Sequence, residues 1–250
     1  MDKLSEDYRL MHRIETRFVK GVVEYGLIDE GDRILVAVSG GKDSLALLEL
    51  LAQRSHIWKP RFSVMAAHVR MSNIAYESDT TYLHSFAEDL GVPFVSVETS
   101  FDASTDMRKS PCFLCSWNRR KALFTLAKEH GCNKIALGHH NDDILCTLLM
   151  NMTFQGAVST MPPRLVMRKF DMTIIRPMCL ISEADLREMA RLRHYRKQVK
   201  LCPYESDSHR SSMKEVLAML ERMNPEARYS LWHSMSNVQG ELLPMKLTER

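Results

Sequence analysis

The stretch RILVAVSGGKDSLALLELL, residues 33–51, decides the fold of this chain. It begins with a β-branched apolar run, which is typical of a buried strand. Two serines, two glycines, a lysine and an aspartate follow, and the apolar residues then recur at helical spacing. The stretch therefore predicts a strand, a tight polar turn at residues 39–44, and a helix that begins inside the turn.

The same alternation of short apolar strands and helices continues along the chain. The predicted strands are 34–38, 62–68, 93–97, 134–138 and 172–176. The predicted helices are 7–26, 43–54, 77–90, 115–130, 142–153 and 183–196. This order predicts an α/β fold, with a parallel five-stranded sheet and helices on both faces. The predicted domains are an N-terminal helix packed on the sheet domain (1–30), the sheet domain itself (31–205) and a C-terminal helical extension (206–250).

Composition favours a cytoplasmic protein. Hydrophobic residues make up 45% of the 250-residue chain and charged residues 26%, as in ordinary soluble proteins. The sequence has no apolar run long enough for a membrane span, and its start, MDKLSEDYRLMHR, lacks the apolar region of a secretory signal. Because the cytosol keeps thiols reduced, we expect the six cysteines to be free thiols or metal ligands.

The polar turn has the composition of a phosphate site. In a parallel sheet, ligands bind beyond the carboxyl ends of the strands, where this turn is predicted. Glycines allow close approach, a helix N-terminus offers free N–H groups, and hydroxyls and an ammonium group add donors. The candidate binding residues are Ser39, Gly40, Gly41, Lys42, Asp43 and Ser44. Asp43 would repel a phosphate, so we interpret it as a cap of the turn or a Mg²⁺ ligand.

Two further strand ends are predicted to face the same ligand. Gly138 ends the fourth strand, where it would let a ribose or an α-phosphate approach. Of the two acids that follow, Asp142 and Asp143, we expect one to cap the next helix and prefer Asp143 for binding Mg²⁺ or accepting a proton. Strands one and two are predicted to end at Ala37, Val38, His68 and Val69, on the same side of this site.

A second candidate site lies in SPCFLCSWNRRKALF, residues 110–124. Its C-x-x-C pair, Cys112 and Cys115, fits a redox motif, half of a zinc site or half of an iron–sulfur site. Cys202, in KLCPYES, is the third candidate, and three thiolates suit a soft metal. Zinc would need a fourth ligand such as His68 or His209, whereas a [4Fe–4S] cluster would keep one iron open for substrate sulfur. The cysteines that we interpret as core residues are Cys132, Cys146 and Cys179.

These stretches together resemble one family. The turn has the form S-G-G-x-D-S, which is the pyrophosphate loop (PP-loop) of enzymes that cleave ATP between its α and β phosphates. The chain resembles the tRNA 2-thiocytidine synthetase family of iron–sulfur-dependent tRNA thiolation enzymes. The stretches that carry the resemblance are IDEGDRILVAVSGGKDS, CFLCSWNRRKALF, KIALGHHNDDILCTLLMNM, MPPRL, IIRPM and CPYES.

The resemblance implies a PP-loop ATP pyrophosphatase fold of the adenine nucleotide alpha hydrolase type. It implies that ATP and Mg²⁺ activate the C2 oxygen of a tRNA cytidine, which sulfur then replaces. The adenine of the ATP would then lie near the backbone of Ala37, Val38, His68 and Val69. It assigns a [4Fe–4S] cluster to Cys112, Cys115 and Cys202. It further implies a sulfur donor, either sulfide or a cysteine desulfurase, and a homodimer.

Several charged residues gain a candidate role from this resemblance. Asp43 and Asp143 are candidate catalytic acids, and Lys121 would steady the adenylated base. Residues 162–200 contain ten Lys or Arg and four Asp or Glu, an excess of six positive charges. We therefore expect residues 191–200 to face tRNA, with Tyr195 stacked on a base. Arg119 and Arg120 would either contact tRNA phosphates or lie in solvent.

The residues also allow other functions. One is a different PP-loop adenylating enzyme, either a uridine thiolase or an amide-forming ligase with zinc as a structural clip. Another is a non-enzymatic RNA-binding metal sensor that keeps the same fold.

Overall fold

A computed structural model describes residues 3–73, 79–102, 110–168, 170–196 and 209–244. Within these residues, six strands form one sheet: β1 (Arg33–Ala37), β2 (Ser63–Met71), β3 (Phe94–Thr99), β4 (Lys134–Ala136), β5 (Arg164–Met167) and β6 (Met172–Ile175). The helices are α1 (Lys3–Glu24), α2 (Lys42–Ser55), α3 (Thr80–Asp89), α4 (Pro111–Glu129), α5 (Asn141–Gln155), α6 (Glu183–Leu192), α7 (His209–Met223) and α8 (Ala227–Ser234).

The strand order is β3-β2-β1-β4-β6-β5. All neighbouring strands are parallel except β5 and β6, which are antiparallel. The five parallel strands predicted from the sequence are confirmed. The antiparallel edge strand β5 was missed.

The chain reverses its direction of travel across the sheet between β1 and β4. From β1 it builds outward to β2 and β3, and it then crosses to β4 on the other side of β1. The loops that leave the carboxyl ends of β1 and β4 therefore diverge and open a crevice. Ligands of open α/β sheets bind at such a point.

Helices cover both faces of the sheet, as predicted. One face packs against α1, α2, α3 and α6, and its largest fully buried side chains include Ile14, Phe18, Leu47 and Leu48. The other face packs against α4 through Leu123, Leu126 and Ala127. The apolar periodicity of these helices is therefore a consequence of their burial against the strands.

The chain forms two compact units. The first comprises residues 1–141 and 162–206, and the second comprises residues 142–161 and 207–250. The second unit has a small core of its own, built from Leu145, Cys146, Met213 and Leu217. The structure thus groups residues 142–161 with the C-terminal segment, whereas the sequence-based boundaries placed them in the domain 31–205.

Among the described helices, none combines the length and apolarity needed to cross a membrane.

A buried lysine ties the start of β4 to the loop before β1. Lys134 is 4% exposed, and its Nζ lies 2.6 Å from Asp32 Oδ2 and 2.8 Å from Asp29 Oδ2. It also donates to the carbonyl of Leu27 at 3.0 Å. The hydrogen bond from Lys134 lowers the pKa of Asp29. Because Asp32 is also 4% exposed, this ammonium group is what compensates its buried charge.

Replacing Lys134 by Met should lower the free energy of unfolding by about 3–5 kcal/mol, because it leaves the Asp32 carboxylate buried without a cation. Urea denaturation followed by circular dichroism measures this. The matched control is Arg61→Met, which removes an equally short ion pair to Glu30 at the exposed surface and should have a much smaller effect. Equal losses in the two variants would show that burial is not the cause.

Candidate nucleotide and metal site

The glycine turn after β1 is shaped by its own serines. Gly40 has φ of +80°, a conformation that favours glycine. The Ser39 N–H donates to Ser44 Oγ at 3.1 Å, and Ser44 Oγ donates to the Gly41 carbonyl at 2.8 Å. Gly41 is the N-cap of α2 and has no side chain to cap the helix. The turn therefore presents the start of α2 without a side-chain cap, which suits an anionic ligand.

Lys42 lies between two carboxylates in this turn. Its Nζ is 2.9 Å from Asp43 Oδ1 and 3.4 Å from Glu183 Oε1. Glu183, the first residue of α6, was not among the predicted site residues. The rule that ligands bind at strand ends would have found it, because α6 follows β6. Asp43 therefore holds the lysine in place, and its roles in capping the turn or binding Mg²⁺ stay predictions.

Gly138 packs directly against this turn. A Cβ atom at Gly138 would lie 3.2 Å from the Asp43 carbonyl carbon and oxygen and 3.2 Å from the Ser44 nitrogen. Because these are backbone atoms, they cannot rotate away. Gly138 was predicted to let a ribose or α-phosphate approach. The structure gives a separate reason for a glycine at this position, because it lets the end of β4 meet the first turn of α2.

His68 lies beside the turn as a buried, neutral imidazole. It is 1% exposed, and its Nδ1 donates to the Val38 carbonyl at 2.7 Å. The Val38 N–H in turn donates to the carbonyl of Ala67, so both backbone groups of Val38 already have partners. Burial lowers the pKa of His68, and the charges of Arg119 and Arg70 act in the same direction. His68 Nε2 has no hydrogen-bond partner among the described residues.

The cysteine pair lies at the carboxyl ends of the parallel strands, as the glycine turn does. Helix α4 begins at Pro111, earlier than predicted, because the Ser110 hydroxyl accepts from the Phe113 N–H and caps it. Cys112 is exposed, and the half-buried Cys115 packs against Met71 and Phe101. Met71 is the last residue of β2, which places the pair at the carboxyl ends of the parallel strands. The third predicted ligand, Cys202, lies outside the described residues.

The remaining cysteines are core residues, as predicted. Cys132, Cys146 and Cys179 are all buried. Burial raises the pKa of Cys179 to about 12 and also raises that of Cys132, so both remain protonated thiols at neutral pH. A thiol of this kind is a poor metal ligand.

A zinc site completed by His68 does not form within the described part of the chain. There, no three His, Cys, Asp or Glu side chains come close enough to hold a metal ion. The other fourth ligand considered for zinc was His209, whose side chain lies outside the described residues. Cys112 and Cys115 lie three residues apart on α4, and thiols are the donors that soft metals prefer. Their role as metal ligands stays a prediction.

The two acids in the first turn of α5 differ in their contacts. Asp142 Oδ1 lies 2.8 Å from the Arg228 guanidinium, within the second unit. This ion pair gives Asp142 a structural contact, and the expectation that one of the two acids caps the helix stays a prediction. The Asp143 carbonyl accepts from the Thr147 hydroxyl at 2.7 Å. Its predicted role in binding Mg²⁺ or accepting a proton stays a prediction.

The prediction that Tyr195 stacks on a base is wrong. Its hydroxyl donates to the Glu49 carboxylate at 2.6 Å, and its ring packs edge-on against Phe86 at 5.5 Å. Arg193 also lies 2.8 Å from Glu49, which is 5% exposed. Burial and the charge of Glu49 raise the pKa of Tyr195. These residues neutralise a buried acid, and residues 197–200 lie outside the described part of the chain.

Comparisons with known sequences identify related proteins. Residues 10–235 match the model of a PP-loop domain family. A protein of Geobacter metallireducens named tRNA-cytidine(32) 2-sulfurtransferase is 36% identical, over 93% of this chain and 92% of the relative.

The chain belongs to the tRNA-cytidine(32) 2-sulfurtransferase family of PP-loop proteins.

Relatives of the same name in Chromohalobacter salexigens and Neisseria meningitidis are 32% and 33% identical. The first match covers 100% of this chain and 87% of the relative, and the second covers 93% and 74%. The resemblance found in the sequence is therefore confirmed.

A solved structure has the same fold. It is a U34-tRNA thiolase from Methanococcus maripaludis with its [4Fe–4S] cluster, and it superposes with a TM-score of 0.74. The superposition covers 94% of this chain and 80% of the thiolase, at 22% identity. At that identity the likeness establishes the fold, which is the predicted α/β PP-loop type.

Substituting Ala for Gly138 should weaken ATP binding by roughly 10- to 100-fold, because the new methyl group displaces the first turn of α2. Titration of the anaerobically purified protein with ATP measures the dissociation constant. The control is Gly240→Ala, where a Cβ atom would meet nothing within 4 Å. Unchanged ATP affinity in the Gly138 variant would contradict the close-packing argument.

The neutral state of His68 predicts a pH effect on stability. Below its ordinary pKa of 6.5 the unfolded chain takes up a proton at this position, whereas the folded imidazole stays neutral. The free energy of unfolding should therefore fall as the pH drops below that value, by at most about 1.4 kcal/mol per pH unit for this group. Urea titrations from neutral to mildly acidic pH should show a shallower loss for His68→Asn, which cannot titrate. An identical slope in both proteins would exclude His68 as the source.

Proposed function

We propose that this chain is an ATP-dependent tRNA sulfurtransferase that replaces the C2 oxygen of a cytidine with sulfur. The observation that carries the proposal is the packing of Cys115 against Met71, at the end of β2. This packing supports a metal centre at the carboxyl ends of the parallel strands, where the PP-loop also lies. The names of the relatives supply cytidine 32 of tRNA as the proposed position.

The PP-loop would bind the β and γ phosphates of ATP. The uncapped start of α2 and the left-handed Gly40 support this, because they present N–H groups to an anion. Lys42 is already oriented by Asp43 and Glu183, so its ammonium group would meet the phosphates without a large rearrangement. Mg²⁺ would be held by the Asp43 carboxylate and would neutralise charge on the leaving pyrophosphate.

The adenine would lie against the ends of β1 and β2. Ala37, Val38, His68 and Val69 were predicted to contact it through their backbones. The hydrogen bond from His68 fixes the Val38 carbonyl, so Val38 would form a wall of the pocket and would not supply its backbone groups. His68 would act as the positioning residue that keeps this wall rigid.

Adenylation explains why a nucleotide is needed. The C2 oxygen of cytidine is amide-like and a poor leaving group. When that oxygen attacks the α-phosphate, pyrophosphate leaves and the C2–O bond becomes part of an AMP ester. A sulfur nucleophile then forms the C2–S bond, and AMP leaves with the original oxygen. Each turnover would therefore yield one AMP, one pyrophosphate and one thiocarbonyl.

Cys112, Cys115 and Cys202 would hold a [4Fe–4S] cluster, whose chemistry when bound is to deliver sulfur to the activated carbon. The exposure of Cys112 supports access from solvent for sulfide or a desulfurase. Lys121 is exposed on α4, with its Nζ 5.6 Å from the Trp117 ring centroid. Its proposed part in steadying the adenylated base stays a prediction, as does the homodimer.

The proposal is tested with anaerobically purified protein, an unmodified tRNA transcript, ATP, Mg²⁺ and sulfide. We expect 2-thiocytidine in the digested tRNA, together with AMP and pyrophosphate in equal amounts. Thiouridine in place of thiocytidine would point to the uridine-modifying alternative. AMP formation without any thionucleoside would point to another adenylating enzyme.

Replacing Cys112 or Cys115 by Ala should abolish the visible absorbance of the purified protein and lower thionucleoside formation by at least about 100-fold, because each sulfur is a metal ligand. Absorbance, iron content and nucleoside analysis measure these changes. Cys132→Ala is the matched control, since this buried thiol is not a ligand and its variant should keep both properties. A coloured, active Cys112 variant would overturn the assignment.

A further inference from the structure

The outer side of α4 carries aromatic and basic side chains in one stripe. The stripe consists of Phe113, Trp117, Arg120, Lys121 and Phe124, which recur three or four residues apart and therefore share one side of the helix. Phe113 is 42% exposed and Trp117 is 49% exposed, and both Arg120 and Lys121 are exposed. Large rings exposed in this way on a soluble protein mark a binding surface.

The aromatic rings form ordered pairs along this stripe. Lys121 Nζ lies 5.6 Å from the centroid of Trp117, which is the distance of a cation–π contact. Phe124 ends the stripe half-buried against the core beneath α4, and it stacks on the exposed Phe170, with centroids 4.8 Å apart and planes 20° from parallel. The ring of Trp117 thus presents a π surface next to positive charge.

The charge of the helix favours a polyanion. Helix α4 contains four basic residues, of which Arg120, Lys121 and Lys128 are exposed, and a single acid, Glu129, at its last position. The Arg120 Nε donates to the Ser116 carbonyl, which holds its guanidinium along the helix. Positive side chains interleaved with aromatic rings are the chemistry by which proteins hold unpaired nucleotides.

We propose that this stripe is the docking surface for an unpaired segment of RNA, with Trp117 stacking on a base. Rings can stack only on bases that are free of a duplex, so a loop is favoured over a double helix. The stripe from Phe113 to Phe124 is about 16 Å long at 1.5 Å per residue, which a few unpaired nucleotides would cover. The stripe begins at Phe113, next to the exposed Cys112, whereas Cys115 lies on the opposite side of the helix and packs against Met71 and Phe101.

The inference deepens the proposed function and rests on it for the identity of the RNA. It adds a surface for the substrate that is distinct from the segment 191–200, whose Tyr195 is engaged with Glu49. A base stacked on Trp117 would leave its neighbours in the loop free to reach the first turn of α4, which carries the exposed Cys112. Lys121 would then contact a phosphate from its position over the indole ring.

The test compares two exposed tryptophans. Trp117→Ala should raise the KM for tRNA by roughly 5- to 100-fold while kcat at saturating tRNA changes little, since stacking contributes to binding. Trp117→Phe should restore most of the affinity. Trp58→Ala is the matched control. Trp58 is 75% exposed and has the Arg61 guanidinium 5.6 Å from its ring centroid. It precedes β2, however, and therefore lies at the amino ends of the strands, away from the cysteines.

A second measurement does not depend on activity. The chain has three tryptophans, so a Trp58→Phe, Trp232→Phe variant leaves Trp117 as the only indole. Its fluorescence should be quenched by a short single-stranded RNA and much less by a duplex of the same sequence. Arg120→Gln should reduce the salt dependence of RNA binding by about one unit of slope.

The outcomes separate this inference from the proposed function. If wild-type protein makes no thionucleoside but Trp117→Ala still lowers RNA affinity relative to Trp58→Ala, the surface stands and the sulfurtransferase assignment fails. If wild-type protein thiolates tRNA and the Trp117 and Trp58 variants have the same KM and the same RNA affinity, the docking surface is overturned. Equal quenching by duplex and single strand would overturn the role of stacking. Unchanged visible absorbance in Trp117→Ala confirms that the metal centre is intact.

Discussion

The backbone contact between Gly138 and the first turn of α2 sets the geometry of the nucleotide site. It joins two segments that lie far apart in the sequence, at the place where the sheet changes direction between β1 and β4. Any side chain larger than hydrogen at Gly138 would meet peptide atoms of Asp43 and Ser44. The shape of the PP-loop therefore depends on a neighbouring strand end as well as on its own glycines and serines.

Much of the sheet followed from apolar periodicity, because each parallel strand is a short buried run between helices. Strand β5 was missed because its residues alternate between exposed and half-buried, at an edge of the sheet. Its pairing depends on a turn in which Asp171 has φ of +48°. Two four-residue runs separated by a short polar turn were the available signal for this hairpin. The start of α4 was likewise readable from Ser110 followed by Pro111.

The candidate site was predictable where residue type alone indicates chemistry, as in the glycine turn and the C-x-x-C pair. It was not predictable where partners are distant in sequence. Lys42 and Glu183 are 141 residues apart, and Tyr195 and Glu49 are 146 apart. The basic character of residues 191–196 suggested an RNA surface, but a buried carboxylate must be neutralised and hydrogen-bonded. Tyr195 and Arg193 therefore contact the buried Glu49 within the first unit.

Helix α4 has two sides with different tasks in this proposal. Cys115 faces the end of β2, and the aromatic and basic side chains of the stripe face the other way. An α-helix turns by about 100° per residue, so Cys115 and Trp117, two residues apart, face nearly opposite sides of α4, with the thiol against Met71 and Phe101 and the ring in solvent. Inserting or deleting one residue between them would destroy this arrangement. The loops before and after α4 are free of this phase constraint. Evolution can therefore lengthen the chain on either side of this helix, but within those few positions it can only exchange side chains.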